Sequence, residues 1–185
     1  MNLFIVLLFI LSRFSDAQIV QLGECPDVET VIDFIPSKYL GVWYENRKYP
    51  AIFELGGKCI SSLYTAESED TIGVENMQKN ILTGKYNVIN GNATIHGDAK
   101  DGKLIVTLPS APFPAPYWIL DTDYDTYSVV WSCGDLFSLN AQAVWILTRE
   151  RKPPQSVINK ALLVLEKNKI KTEPLRETDQ DNCEE

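Results

Sequence analysis

Between Tyr39 and Arg149 the chain passes through eight short segments of strand composition, separated roughly every dozen residues by clusters of Gly, Pro, Asn and Asp. The segments are "YLGVWYENRK", "CISSLYTA", "TIGVENMQK", "YNVINGNATI", "KLIVTL", "PYWILDT", "TYSVVWSC" and "AVWILTR". Gaps this short leave no room for crossover helices, so neighbours must pair antiparallel as a meander. Pro153 and Pro154 then break the pattern. The following "QSVINKALLVLEKN" places Val157, Ala161 and Leu165 on one face with Ile158 and Leu162 beside them, an amphipathic helix that needs an apolar wall. The expectation is an all-β chain: an eight-stranded antiparallel up-and-down β-barrel with a C-terminal α-helix packed on the outside. Closure removes both sheet edges, and a barrel of this size has room for one small ligand. A two-sheet sandwich is the competing architecture, and it usually needs longer Greek-key connections.

The first residues, "MNLFIVLLFILSRFSDAQ", hold an apolar run from Leu3 to Leu11, then Ser15, Asp16 and Ala17 in a small-x-small cleavage pattern. Such a run is too short to cross a bilayer as a helix. Residues 1–17 therefore read as a signal peptide and 18–185 as a single secreted, extracellular domain with a substantial core. Cys25, Cys59, Cys133 and Cys183 are an even number of cysteines in an exported chain, which predicts two disulfides chosen from three connectivities. Their spacing is too wide for a zinc knuckle and His96 is the only histidine, so no metal site is expected. A net charge of −8 without a basic stripe argues against a nucleic-acid partner. Asn92-Ala93-Thr94 is the one N-glycosylation sequon. A glycan on Asn92 must point outward, so Ile89, Gly91 and Ala93 should point inward.

Three short motifs add a family resemblance: "GVW" at Gly41 to Trp43, "TDY" at Thr122, Asp123 and Tyr124, and Arg149 in "WILTRE". In order and spacing they are similar to the three motifs of the lipocalins, and the similarity covers nearly all of the chain after the signal. The resemblance implies that Trp43 and Arg149 meet at the closed end of the barrel, the guanidinium against the indole face, as a structural plug. Asp123 and Asp125 then belong to a turn at that end and are not a catalytic carboxylate pair. It further implies that Cys25 pairs with Cys133 and Cys59 with Cys183, each bridge fastening a terminal segment to a barrel strand. Terminal segments lie outside the barrel, so Cys59 and Cys133 point outward. Alternation then turns Ile60, Ser62, Tyr64, Ser128, Val130 and Ser132 inward and Trp131 outward. From an inward Arg149, the same count turns Leu147, Trp145 and Ala143 inward. Tyr117 and Ile119 face the lumen opposite Trp145, while Trp118 and Leu120 lie under the helix. The hairpin "YWILDTDYDTYSVVWSC" is thus apolar on both faces because one face lines the cavity and the other carries the helix.

The expected ligand-binding wall is Ser62, Tyr64, Val74, Asn76, Ile89, Val106, Leu108, Tyr117, Ile119, Val130, Trp145 and Leu147. A mostly apolar lining with a few hydroxyl and amide groups suits a small hydrophobic ligand with one polar end, of fatty-acid, steroid or retinoid type. Small residues at Ser62, Ser128, Ser132 and Ala143 favour a void over a filled interior. No cofactor is expected, except biliverdin if the protein is a chromoprotein. An alternative of another class is a surface or receptor-facing protein that uses the barrel only as a scaffold. Loops at one barrel end carry Ile52, Phe53, Ile81, Leu82, Phe113, Leu136 and Phe137. They read as a ligand entrance that contacts membranes or lipoprotein particles, or else as an inward-folded lid. An enzyme is not expected, because the cysteines are committed to disulfides and His96 is the only histidine base available to a serine.

Overall fold

The computed structural model describes residues 19–50, 56–109, 111 and 113–183. The signal segment, Ile52, Phe53 and the side chain of Leu136 lie outside the described residues. In chain order the elements are β1 (Ile19–Leu22), α1 (Pro36–Tyr39), β2 (Gly41–Lys48), β3 (Gly57–Ala66), β4 (Thr71–Asn80) and β5 (Tyr86–Ile95). After a 3-10 turn at Ala99–Asp101 come β6 (Lys103–Thr107), β7 (Ala115–Thr122), β8 (Tyr127–Leu136), β9 (Leu139–Thr148), α2 (Gln155–Lys167) and β10 (Arg176–Glu177). Strands β2 to β9 pair antiparallel in sequence order, and β9 returns to β2 through Tyr44↔Thr148 and Lys48↔Trp145. That last ladder closes an eight-stranded barrel, and α2 lies outside it against β7 and β8.

Two short strands extend the expected eight, and both arise from edges that closure leaves open. The β2–β9 ladder uses only the second half of β9, so β1 covers the first half through Ile19↔Gln142 and Leu22↔Leu139. The β2–β3 ladder covers only Gly41–Tyr44 opposite Ser61–Tyr64, and β10 takes Arg47 and Lys48 of β2. Unpaired backbone groups in a wall are costly, so terminal segments fill both gaps. The first expected strand also begins later than its composition suggests. Tyr39 ends α1, which Pro36 opens, and the chain turns into β2 at Gly41 with φ +95°.

Side chains sort into two cores across the wall. The inner core contains Phe34, Tyr39, Trp43, Tyr64, Ile72, Val74, Ala93, Leu104, Ile119, Val130 and Leu147. The outer core joins Leu120, Val129, Trp131, Val144 and Ile146 of the wall to Val157, Ile158, Ala161 and Leu165 of α2. Period-two alternation in β7, β8 and β9 therefore serves two apolar layers at once.

Candidate functional site

One end of the barrel is sealed by a stacked cation. The guanidinium of Arg149 lies 3.7 Å from the ring centroid of Trp43, which is fully buried. Its Nε donates to the carbonyl of Tyr124 at 2.9 Å, Nη1 to that of Val42 at 2.8 Å, and Nη2 to those of Lys38, Tyr39 and Leu40. A planar, fixed fork of donors can tie the stretch from Lys38 to Val42 to the turn at Tyr124 in this way; a lysine could not. Gly41 lies beside the guanidinium at φ +95°, a conformation that favours glycine, and a Cβ there would be in ordinary contact with Nη1 at 3.4 Å. The adjacent turn is held by Thr122, whose Oγ1 donates to the Tyr127 carbonyl at 2.7 Å, and by Asp123, which accepts from the backbone N–H groups of Asp125, Thr126 and Tyr127. Burial pushes the Asp123 carboxyl up, but hydrogen bonds from Thr126, Tyr127 and Asp125 outweigh it and hold the group below its ordinary value.

Above this floor stands a chain of hydroxyls. Tyr39 Oη lies 3.0 Å from Ser128 Oγ and 3.1 Å from Tyr117 Oη, and Tyr64 Oη lies 2.8 Å from Tyr117 Oη. Burial raises the pKa of all three phenols, so they stay neutral and act as paired donors and acceptors. Higher on the wall, Ser62 Oγ donates to Asn76 Oδ1 at 2.7 Å. The space expected above Ser128 is therefore partly filled: Tyr39 enters from α1 and stands on it.

The expected lining residues occupy the inner face at two depths. Tyr64, Val74, Ile119, Val130 and Leu147 are buried in the inner core. Val106, Tyr117 and Trp145 pack against it but keep part of their surface exposed, as do Ser62, Asn76 and Ile89. Leu108 lies just beyond β6, its Cδ2 2.6 Å from where a Cβ on Gly91 would sit. Ile60 is buried but belongs to neither apolar core. Asn92 follows Gly91 on the opposite face of β5 from Ala93 and is half-buried. Disulfides join Cys25 to Cys133 and Cys59 to Cys183. On the outer face Trp118 and Trp131 sit 5.4 Å apart, and Trp131 Nε1 donates to Gln142 Oε1.

Phe34, Tyr39, Ile72 and Leu104 were missing from the expected lining. Ile72 and Leu104 continue the parity of Val74 and Val106 by one step and were within reach of it. Phe34 and Tyr39 lie in or before a one-turn helix, where no strand count applies. At the other end, Ile81 (56%), Leu82 (89%), Phe113 (71%) and Phe137 (92%) are exposed. These four project into solvent and do not fold inward as a lid.

Residues 33–180 match the Lipocalin-like domain family. Apolipoprotein D of Mus musculus is 37% identical over 184 residues, covering 99% of this chain and 96% of its own length. Bilin-binding protein of Pieris brassicae is 31% identical over 141 residues, 74% of this chain and 73% of its own. Among solved structures, insecticyanin from the tobacco hornworm Manduca sexta superposes with a TM-score of 0.77 at 24% identity, covering 89% of this chain and 90% of that one.

Proposed function

Since the chain belongs to the lipocalin family, a small-ligand-binding family rather than an enzymatic one, we propose that it is an exported carrier. It holds one fatty-acid, steroid or retinoid-like molecule in the barrel lumen. The observation that carries this reading is the gradient along the inner face: Trp43, Ile119 and Val130 have no exposed surface, whereas Trp145, Tyr117, Val106 and Ile89 keep some. An inner face that is fully buried at the floor and partly exposed above it, apolar with hydroxyls at its base, suits an amphipathic guest. Two disulfides support an oxidising, extracellular location, and Asn92 is the proposed glycosylation site. The open end is the proposed entrance and the side that meets membranes or lipoprotein particles.

The test is ligand extraction from native protein followed by mass spectrometry, together with titration of tryptophan fluorescence. Trp145 stands opposite Val130 on the inner face, and its indole offers a large apolar surface with one N–H donor. Bound retinoid or steroid should quench its emission, and Trp145→Ala should weaken the tightest ligand by about 1 to 3 kcal/mol. An unchanged affinity for every ligand that binds would remove Trp145 from the pocket. Identity to a bilin-binding protein favours biliverdin as a second reading, and a visible absorption band in native protein would select it.

A further inference from the structure

Charge is unevenly divided over this acidic chain. From Asn76 to Leu120 the only acidic residues are Asp98 and Asp101, against Lys79, Lys85, Lys100 and Lys103. Asp98 caps and Asp101 ends the 3-10 turn, whose Lys100 carbonyl accepts from the N–H of Phe34 beside the floor, so both acids belong to the closed end. At the open end of the same strands, the β4–β5 hairpin presents Ile81 and Leu82 between Lys79 and Lys85. Lys79 Nζ lies 5.5 Å from the centre of the Tyr86 ring, and Tyr86 and Val88 are 37% and 48% exposed. The neighbouring β6–β7 connection adds Phe113. Across the mouth, Phe137 follows Asp135 in the β8–β9 hairpin, and Leu22 shares a cleft with Glu24, Lys169 and Lys171.

We propose that the β4–β5 hairpin and Phe113 beside it form a docking surface for an anionic phospholipid bilayer. Ile81, Leu82 and Phe113 enter the headgroup layer, and Lys79 and Lys85 face the phosphates. Apolar tips gain by leaving water, tyrosine suits the boundary with a polar tip on an apolar ring, and each lysine near an anionic surface adds attraction. The closed end, which carries Glu67, Glu69, Asp70, Asp98, Asp101, Asp123 and Asp125 in its connections, is repelled by the same surface, so the mouth turns toward the lipid. Asn92 is six residues along β5 from Tyr86, about 20 Å at strand spacing, which leaves a glycan clear of the contact. The proposal deepens the carrier reading by naming where ligand is exchanged.

Co-sedimentation with unilamellar vesicles of phosphatidylcholine, with and without phosphatidylserine, tests it on the full secreted chain. The expected result is binding to the phosphatidylserine vesicles that falls as salt rises. Leu82→Asp should lower the partition coefficient about tenfold or more, and Lys85→Ala about fivefold, while Phe137→Asp changes it less than either. Thermal melts and retinoid quenching in solution are run on every variant. A Leu82→Asp protein that melts and quenches like the parent yet binds vesicles equally well overturns the docking surface and leaves the carrier reading intact. Vesicle binding without any lumenal ligand does the reverse. If Leu82→Asp instead dissolves a dimer seen by gel filtration and no vesicle is bound, the patch is a contact between copies and the proposal fails.

Discussion

The two ends of the barrel are made by the same eight strands and follow opposite rules. At the closed end, polar and charged residues do the sealing: Arg149 spends its donors on five carbonyls, and Asp123 gathers three backbone N–H groups. At the open end, apolar residues stand in water, with Leu82 and Phe137 about as exposed as side chains become. An inventory by residue type would assign stability to the apolar loops and solubility to the charged turns. Geometry inverts it, because a hydrogen bond to a buried carbonyl counts wherever the partner is charged, while an apolar tip contributes only where something covers it. Stability should therefore be concentrated at one end and binding at the other.

The largest expected effect breaks that contrast from the floor. Trp43 has no exposed surface, its Nε1 donates to the Tyr39 carbonyl at 2.8 Å, and its ring supports Arg149. Trp43→Ala should cost about 3 to 5 kcal/mol of unfolding free energy, measured by urea denaturation. A loss under about 1 kcal/mol, the range of surface changes, would mean that the floor is not where the fold is held. A smaller effect tests the turn beside it. The folded pKa of Asp123 is depressed, so its contribution is complete above the unfolded carboxylate value of about 4 and is lost as pH falls through the folded value. Asp123→Asn should lower stability by about 1 kcal/mol at pH 7, the group being well exposed and screened. The gap between variant and parent should close as the pH is brought down toward 2. A gap that widens in acid would give the carboxylate the opposite sign.

Legibility in the sequence followed the same division. The mouth side of the β7–β8 hairpin could be read on both faces because Trp118 and Ile119, opposite Trp131 and Val130, alternate between the outer and inner cores ahead of a register shift between Ile119 and Asp121. Alternation is local physics, fixed by the pleat. Tyr39 was illegible by that route. Its position depends on a one-turn helix and on a hydroxyl contact with Ser128, 89 residues away in sequence. β1 and β10 have little strand signal of their own and exist because β9 and β2 offer free edges. Register shifts between Lys58 and Ser61 in β3, and between Glu45 and Arg47 in β2, also interrupt any count. A bulge moves every later side chain to the other face. Inner and outer positions near the mouth on those two strands thus need coordinates.

The smallest expected effect is of opposite sign and belongs to the open end. Phe137 and Ser138 join β8 to β9 in a two-residue connection, since Leu136 pairs with Leu139. Phe137 sits there at φ +54°, in the left-handed region where a bulky side chain crowds its own backbone. Its ring is 92% exposed, so little packing offsets that strain. Asparagine tolerates the same conformation. Phe137→Asn should accordingly raise stability by up to about 1 kcal/mol, read as a higher melting temperature with ligand affinity unchanged. If the substitution lowers stability instead, the ring is packed against a neighbour, the mouth contributes to the fold, and the division between the two ends is less sharp than their geometry implies.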